Sequence, residues 1–313
     1  MPALATVEVP ASSANLGSGY DCFAAALSLK LRAELYRGDE PGIVLQAHGE
    51  GASSIDEAGD NLVVRAFRDG LRAAHGPEGG HGSWRIDVRS MVPSARGLGS
   101  SAAAIVAGLL LGISVGRRHP DPDEVLALAT GLEGHPDNVA AALYGGITLA
   151  VTDGGQSVAL RRFRVPEAWI PVIFVPQRES RTAEMRDVLP LAVPHHEAAA
   201  AAARAALLAT AVVTSDAGLL RVAMDDRLHQ PFRLPQLPGT AELIEMAYEH
   251  GAAGACLSGA GPSVLAICDS PLSAHAVEKA WASAPMRGMA ARLRFDTSGA
   301  RLSDGERSES EQR

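Results

Sequence analysis

Apolar and polar residues alternate, or β-branched residues cluster, over Thr6–Val9, Leu31–Tyr36, Ile43–Ala47 and Trp84–Val88, with loops rich in Gly, Asp and Ser between most of them. Such stretches predict strands. From Ser100 to Leu143 the spacing becomes helical, and strand patterns return at Ile147–Thr152, Val158–Arg164 and Ile170–Val175, with Pro166 marking a boundary. Alanine-rich helical stretches follow at Thr182–Leu189, His195–Thr214 and Thr240–His250. The chain then closes strand, strand, helix, strand over Ala255–Leu257, Ser263–Cys268, Ala274–Ser283 and Met289–Phe295. That order suits an α+β layer with helices on one face of a mainly antiparallel sheet.

A chain of 313 residues exceeds the usual single core, so two domains are expected, divided here as 1–165 and 166–297. From Ser298 the string SGARLSDGERSESEQR lacks apolar residues to bury and predicts a disordered tail over 298–313. There is no internal repeat.

With 47% apolar and 20% charged residues, the composition is that of a normal globular core. A net charge of -8 without any Lys/Arg-rich block argues against a nucleic-acid partner, which would need cations to replace phosphate counterions. Cys22, Cys256 and Cys268 lack metal or redox spacing and read as reduced thiols. The N-terminus has no cationic region before Glu8, which argues against a secretory signal. The longest apolar run, Ala102 to Val115, is interrupted by Gly108 and Gly112 and is too short for a bilayer. A buried helix in a cytoplasmic protein, with no membrane partner, is the expectation.

Chemistry concentrates in Met91-Val-Pro-Ser-Ala-Arg-Gly-Leu-Gly-Ser-Ser-Ala-Ala-Ala104, which follows one predicted strand and opens a predicted helix. There, free backbone N–H groups and the helix dipole favour an anion. Gly97 and Gly99 permit close backbone approach, and the hydroxyls of Ser100 and Ser101 can bond phosphate or ligate a hard cation. The string is not a Walker A loop, which needs Gly-Lys-Ser/Thr, nor a dinucleotide fingerprint, since Ala102 stands where a third glycine belongs. The only lysines are Lys30 and Lys279, so backbone dipoles, arginine and metal must meet any phosphate charge. An ordinary helix start with serine caps is the competing reading.

Pro93-x-x-x-Gly97-Leu98-Gly99-Ser100-Ser101-Ala102-Ala103 resembles the central motif of the GHMP kinases. Pro10-Ala-Ser-Ser-Ala-Asn-Leu-Gly-Ser-Gly-Tyr-Asp21 and Ser258-Gly-Ala-Gly-Pro-Ser263 fall in that family's order before and after it. Glu133-Gly-His-Pro-Asp-Asn-Val-Ala-Ala-Ala-Leu-Tyr-Gly-Gly146 and Ser180-Arg-Thr-Ala-Glu-Met-Arg-Asp-Val-Leu-Pro190 are similar to its homoserine kinase branch. The resemblance implies an N-terminal mixed α/β domain carrying the phosphate loop and a C-terminal ferredoxin-like α+β domain. It implies ATP and Mg²⁺ as cofactors and L-homoserine as substrate, and leaves room for a homodimer.

By the same resemblance, Asn15, Asp21 and Asn138 would contact the amino and hydroxyl ends of the substrate, and Arg186 and Arg233 its carboxylate. The set is chemically coherent, because a zwitterion needs an anion for its ammonium and cations for its carboxylate. Glu133 and Ser101 would hold Mg²⁺, with Asn138, Glu133 and Ser101 as the catalytic set. The loop residues Pro93, Arg96 and Gly97 to Ala103 would bind the phosphates, and Asn61 would lie near the adenine. Plainer readings stand beside these: Asp21 as a helix cap, Glu133 as a solvated helix end, each arginine as a surface group, and His135 as structural. Ser18, Tyr20 and Ala142 depart from the homoserine kinase pattern at positions expected to affect backbone shape more than chemistry. A shikimate or mevalonate type of GHMP kinase, or a non-catalytic sensor of ATP and amino acid, are the alternatives.

Overall fold

Residues 2–52, 61–76, 82–116, 119–152 and 158–305 are described by a computed structural model. In the first unit the strands are β1 (Ala5–Ala14), β2 (Phe23–Arg37), β3 (Gly42–Gly49), β4 (Ser83–Ser90), β5 (Ile147–Thr152) and β6 (Val158–Phe163). Its helices are α1 (Leu62–His75), α2 (Ser100–Val115), α3 (Pro122–Glu133) and α4 (Asp137–Tyr144). β1 and β2 form the long antiparallel centre; β4 and β5 both pair with β2, β6 pairs with β5, and β3 joins β4 in parallel.

β1 runs further than the alternation indicates. Its register shifts between Pro10 and Ala11, and Ser12 and Ser13 then continue as fully buried strand residues. A bulge is a place where a strand tolerates proline. α2 is apolar on nearly every side and, as such a pattern requires, is buried almost throughout.

α1 is absent from the sequence expectations, because its paired valines and Gly70 blur a helical period that Val63, Val64, Ala66, Phe67 and Leu71 nonetheless keep. Asn61 caps it by accepting from the Val63 N–H at 2.8 Å. α1 and α2 approach backbone to backbone: a Cβ on Gly108 would sit 2.4 Å from the Val63 carbonyl oxygen, and one on Gly112 2.3 Å from that of Phe67.

The second unit holds β7 (Ile170–Pro176), β8 (Gly254–Leu257), β9 (Val264–Cys268) and β10 (Gly288–Arg292). Its helices are α5 (Thr182–Asp187), α6 (His195–Thr214), α7 (Leu220–Ala223), α8 (Gln230–Arg233), α9 (Thr240–Glu249) and α10 (Pro271–Ala282). The antiparallel order β10-β7-β9-β8 is the ferredoxin-like arrangement expected. One face packs on α9 and α10 through Phe174, Leu243, Val277 and Trp281, while Ile173, Cys256, Leu265 and Ile267 share a core with the first unit. α6 is long and apolar enough to cross a bilayer by length and composition. Yet Arg204 lies midway along it, paired with Asp225 at 3.1 Å, and Leu208, Ala211 and Val212 dock on the common core.

The tail expectation is corrected. Arg301–Asp304 form a last strand, β11, antiparallel to β1 along the open edge of the first sheet. Unpaired edge N–H and C=O groups supply the hydrogen bonding that a scarcity of apolar side chains conceals. Arg294 and Asp296 already bond to Ser28 and Ala26 of β2, so we divide the described chain as 2–165 with 294–305, and 166–293; residues 306–313 lie outside the description.

Candidate active site

The chain from β4 turns at Val92 to Gly99 and starts α2 with Gly99, φ 68°, as the N-cap. Gly99 has no side chain to bond the first turn, so the serine-cap reading does not hold. Among the described hydrogen bonds the first intrahelical one from this turn is Ala103 N–H to the Gly99 carbonyl, leaving the Ser100, Ser101 and Ala102 N–H groups pointing outward. Leu98, Ala102 and Ala103 put their side chains in the core, and Pro93 is buried, so these residues serve the loop through its backbone.

The loop glycines lock three motifs together. A Cβ on Gly97 would lie 2.2 Å from the Ser258 carbonyl oxygen, and one on Gly99 2.1 Å from Ser12 Oγ. Ser258 Oγ donates to the Gly97 carbonyl at 2.6 Å and shares a hydrogen bond with Ser13 Oγ at 2.8 Å. Asn15 Nδ2 donates to the Gly259 carbonyl at 2.9 Å, while its Oδ1 accepts from the Asp21 N–H. Gly97→Ala is therefore expected to cost roughly 2–4 kcal/mol by urea unfolding. Gly134→Ala, left-handed at φ 89° but facing open space, should cost only about 1–2 kcal/mol. Equal costs would disprove the packing role.

Two cavities meet at this helix start. One, of about 620 Å³, has apolar walls of Leu31, Leu62, Val63, Val88 and Val92 and carries Asn61. The other is narrow, about 70 Å³, and gathers Asn15, Asp21, Glu133, Asn138, Arg186 and Arg233. Ser100, Ser101, Ser180 and Thr182 line both. Ser180 Oγ is buried and has no protein partner among the described residues.

Arg96 corrects the expectation that its side chain meets phosphate. Its guanidinium is spent on the carbonyls of Ser94, Pro176 and Gln177, clamping the loop to the end of β7. Arg181, rather than Arg96, brings a guanidinium-bearing side chain to the wall of the large cavity.

Glu133 ends α3, where a carboxylate opposes the helix dipole. It is half-buried rather than fully solvated, and burial holds its pKa above the ordinary carboxylate range, against the pull of a 2.6 Å hydrogen bond from Ser101 Oγ. A carboxylate and a hydroxyl oxygen suit a small divalent cation, with the loop amides placed for the phosphates it would neutralise, so the donor set fits Mg²⁺. Asp137 is buried and accepts from the Asn138 N–H at 2.7 Å and pairs with His135 Nδ1 at 2.5 Å. Burial opposes charge on His135, but the hydrogen bond and charge of Asp137 outweigh it and raise its pKa.

Asp21 caps no helix. At φ 55° it leads into β2 and grips Arg186 with both oxygens, at 2.9 and 3.0 Å. Arg186 also donates to Tyr20 Oη at 3.0 Å, so Tyr20 bears on chemistry as well as shape. Ser18 ties the first motif to α7 by donating to the Ala223 carbonyl, and Ala142 is a core residue of α4.

Arg233 is no surface group: only 2% of it is exposed. It donates to the Met185 carbonyl, the Gly259 carbonyl and His229 Nδ1 at 3.0, 3.3 and 3.2 Å. No carboxylate contacts it among the described residues. The three thiols are unfit as nucleophiles at neutral pH, since burial pushes Cys22 and Cys268 up to about 11 and Cys256 to about 12.

Residues 61–146 match the model described as "GHMP kinases N terminal domain", and residues 193–287 match "GHMP kinases C terminal". The homoserine kinase of Moorella thermoacetica is 40% identical over 263 residues, 84% of this chain and 86% of that one. The chain belongs to the GHMP kinases, on their homoserine kinase branch. The homoserine kinase of Synechococcus sp. (strain CC9311) is 37% identical over 300 residues, 94% of each chain. In fold, this GHMP kinase resembles the crystal structure of homoserine kinase from Cytophaga hutchinsonii, with TM-score 0.85, 24% identity and coverage of 96% and 98%. It also resembles L. major mevalonate kinase in complex with R-mevalonate, with TM-score 0.68, 18% identity and coverage of 95% and 96%.

Sequence reading of this kinase missed His229, Ser180 and the serine network of Ser12, Ser13 and Ser258. The first had a signal in the string His229-Gln-Pro-Phe-Arg233, where i,i+4 spacing sets an imidazole over the arginine.

Proposed function

We propose that this kinase transfers the γ-phosphoryl group of ATP to the side-chain hydroxyl of L-homoserine, giving O-phospho-L-homoserine on the route to threonine. The observation that carries it is the narrow cavity holding Asp21, Arg186 and Arg233, opening at the start of α2 onto a nucleotide-sized one. Asp21 already grips Arg186 with both oxygens, and a substrate ammonium beside it adds a second cation, which a shikimate or mevalonate substrate lacks. The paired Glu133 and Ser101 and the free loop amides are what a non-turnover sensor would not keep. An ADP-release assay with MgATP across L-homoserine, L-threonine, shikimate and mevalonate tests the reading. Preference for either of the last two overturns the substrate, and no turnover on any favours the sensor.

In this reading adenosine lies along Leu62, Val63 and Val92 near Asn61, and the phosphates meet the amides of Ser100, Ser101 and Ala102. Glu133 and Ser101 would hold Mg²⁺, which supplies charge neutralisation at the phosphates when bound. Arg233 and Arg186 fork onto the substrate carboxylate, with Asp21 shared between Arg186 and the ammonium. Asn15 braces Asp21 and the floor of the pocket. Asn138 has its Oδ1 satisfied by Ser12 Oγ at 2.8 Å, so its amide N–H groups are the part free to orient the hydroxyl. Phosphoryl transfer is largely dissociative, so such positioning carries most of the catalysis, and the hydroxyl gives its proton to the transferred phosphate or to solvent late in the reaction, without a protein base. The reaction belongs in the cytoplasm, without membrane or nucleic acid, and allows a homodimer.

Asp137→Asn keeps an oxygen for both of its hydrogen bonds and removes the charge. Its kcat is expected to stay within about threefold of the parent. A fall of about 100-fold or more, the size of a lost general base, would assign Asp137 that role.

A further inference from the structure

His229 is completely buried and touches both sides of the substrate pocket without lining it. Its Nε2 faces the Gly17 carbonyl at 3.0 Å, with Asp226 Oδ2 at 3.5 Å. Its Nδ1 faces Arg233 Nη1 at 3.2 Å. A guanidinium has only donors, so Nδ1 must accept and carries no proton. Nε2, facing two acceptors, must carry it. The surroundings therefore select one neutral tautomer. Burial acts in the same direction, lowering the ring's pKa, and the Arg233 charge adds to it against the pull of Asp226.

The ring is itself held from several directions. Asp226 accepts from the backbone N–H groups of Leu228, His229 and Gln230, at 2.9, 2.8 and 2.7 Å, fixing the start of α8. Tyr20 stacks on the imidazole with centroids 5.2 Å apart, and its hydroxyl accepts from Arg186. Arg186 and its partner Asp21 are thus the charged groups on the first-motif side, and Arg233 the one on α8.

We propose that His229, as its Nε2–H tautomer, is the positioning residue that aims the Arg233 guanidinium at the substrate carboxylate and ties that aim to the first-motif turn at Gly17. The proposal rests on the amino-acid reading given above. A buried guanidinium held by three acceptors on one side offers its remaining N–H groups in a single direction. Removing the Nδ1 acceptor frees it to turn, and an imidazolium there would set N–H against N–H.

The discriminating measurement compares L-homoserine with 3-aminopropan-1-ol, which is homoserine without its carboxylate. For the parent enzyme, the ratio of kcat/KM values measures what the carboxylate contributes. His229→Phe keeps the stacked ring and loses the acceptor, and is expected to lower that ratio at least about 10-fold. The loss should fall mainly in KM for L-homoserine, with KM for ATP unchanged. His229→Asn, whose Oδ1 takes the place of Nδ1, is expected to restore the ratio to within about threefold of the parent. A ratio in His229→Phe equal to the parent's overturns the proposal, as does an equal loss in both variants. A parent enzyme with no preference between the two compounds overturns the amino-acid reading instead. The tautomer is checked without any substitution: ¹⁵N spectra of histidine-labelled enzyme should show an unprotonated His229 Nδ1 at neutral pH, and a proton on Nδ1 overturns the proposal.

Discussion

Replacing Arg233 with methionine is expected to lower kcat/KM for L-homoserine by about 10²- to 10³-fold, the usual size of losing one partner of a buried charged pair. KM for ATP should move less than about twofold. Methionine fills the space of the side-chain stem but leaves the Met185 and Gly259 carbonyls and His229 Nδ1 without a donor. Against that loss stands the removal of a buried cation that no carboxylate contacts among the described residues, itself a cost of folding. The two effects oppose each other, so the thermal midpoint should move by no more than about 5 °C while activity collapses. An equal loss on 3-aminopropan-1-ol would show that Arg233 acts on something other than the carboxylate.

The second large effect concerns Glu133. Glu133→Gln keeps an oxygen for Ser101 and removes the charge, and kcat is expected to fall about 10²- to 10³-fold, as when one preorganised electrostatic contact is lost. The sign of its pH dependence follows from the raised pKa. Below that pKa the parent's carboxyl is protonated, and proton and cation compete for the same oxygens. The Mg²⁺ concentration giving half-maximal rate should therefore climb as the pH falls through the pKa, and the variant should show no such climb. Stability runs the other way. A folded pKa above the unfolded one means that proton uptake favours the fold: the benefit is full below the unfolded pKa and is lost as the pH rises through the folded one. At neutral pH the ligand-free parent carries a half-buried charge that Glu133→Gln lacks, so the variant should melt higher. A variant with parental kcat would remove Glu133 from the site.

Much of the fold was legible because periodicity reports burial. Ile147–Thr152 and His195–Thr214 were read at their observed limits, and the closing strand, strand, helix, strand order anticipated the ferredoxin-like sheet. What escaped was held by contacts that hydrophobic pattern does not encode. The second half of β1 is Ala11-Ser-Ser-Ala14, small and polar, and becomes strand because its serines find partners in Asn138 and Ser258. α1 was obscured by β-branched residues and a glycine that serves close packing. Within the site, residue type and motif order brought Asp21, Glu133, Asn138, Arg186 and Arg233 to one cavity. They could not tell that Arg96 would turn outward to bind backbone, or that Gly97 is glycine because the turn at Ser258 leaves no room for a Cβ. Both facts concern residues more than 75 positions apart, a distance over which a single sequence carries no geometric signal.

The strand at Arg301–Asp304 has a consequence for the order in which the molecule is made. β1 begins at Ala5, and the hydrogen bonds along its outer edge come from Arg301–Asp304, so every other strand of the sheet lies between the two in the chain. The sheet that supports the phosphate loop therefore stays unfinished until Arg301–Asp304 emerges, after every other strand in it. Until then, β1 presents a naked edge able to pair with any other extended segment. A premature stop near codon 298 would make that interval permanent.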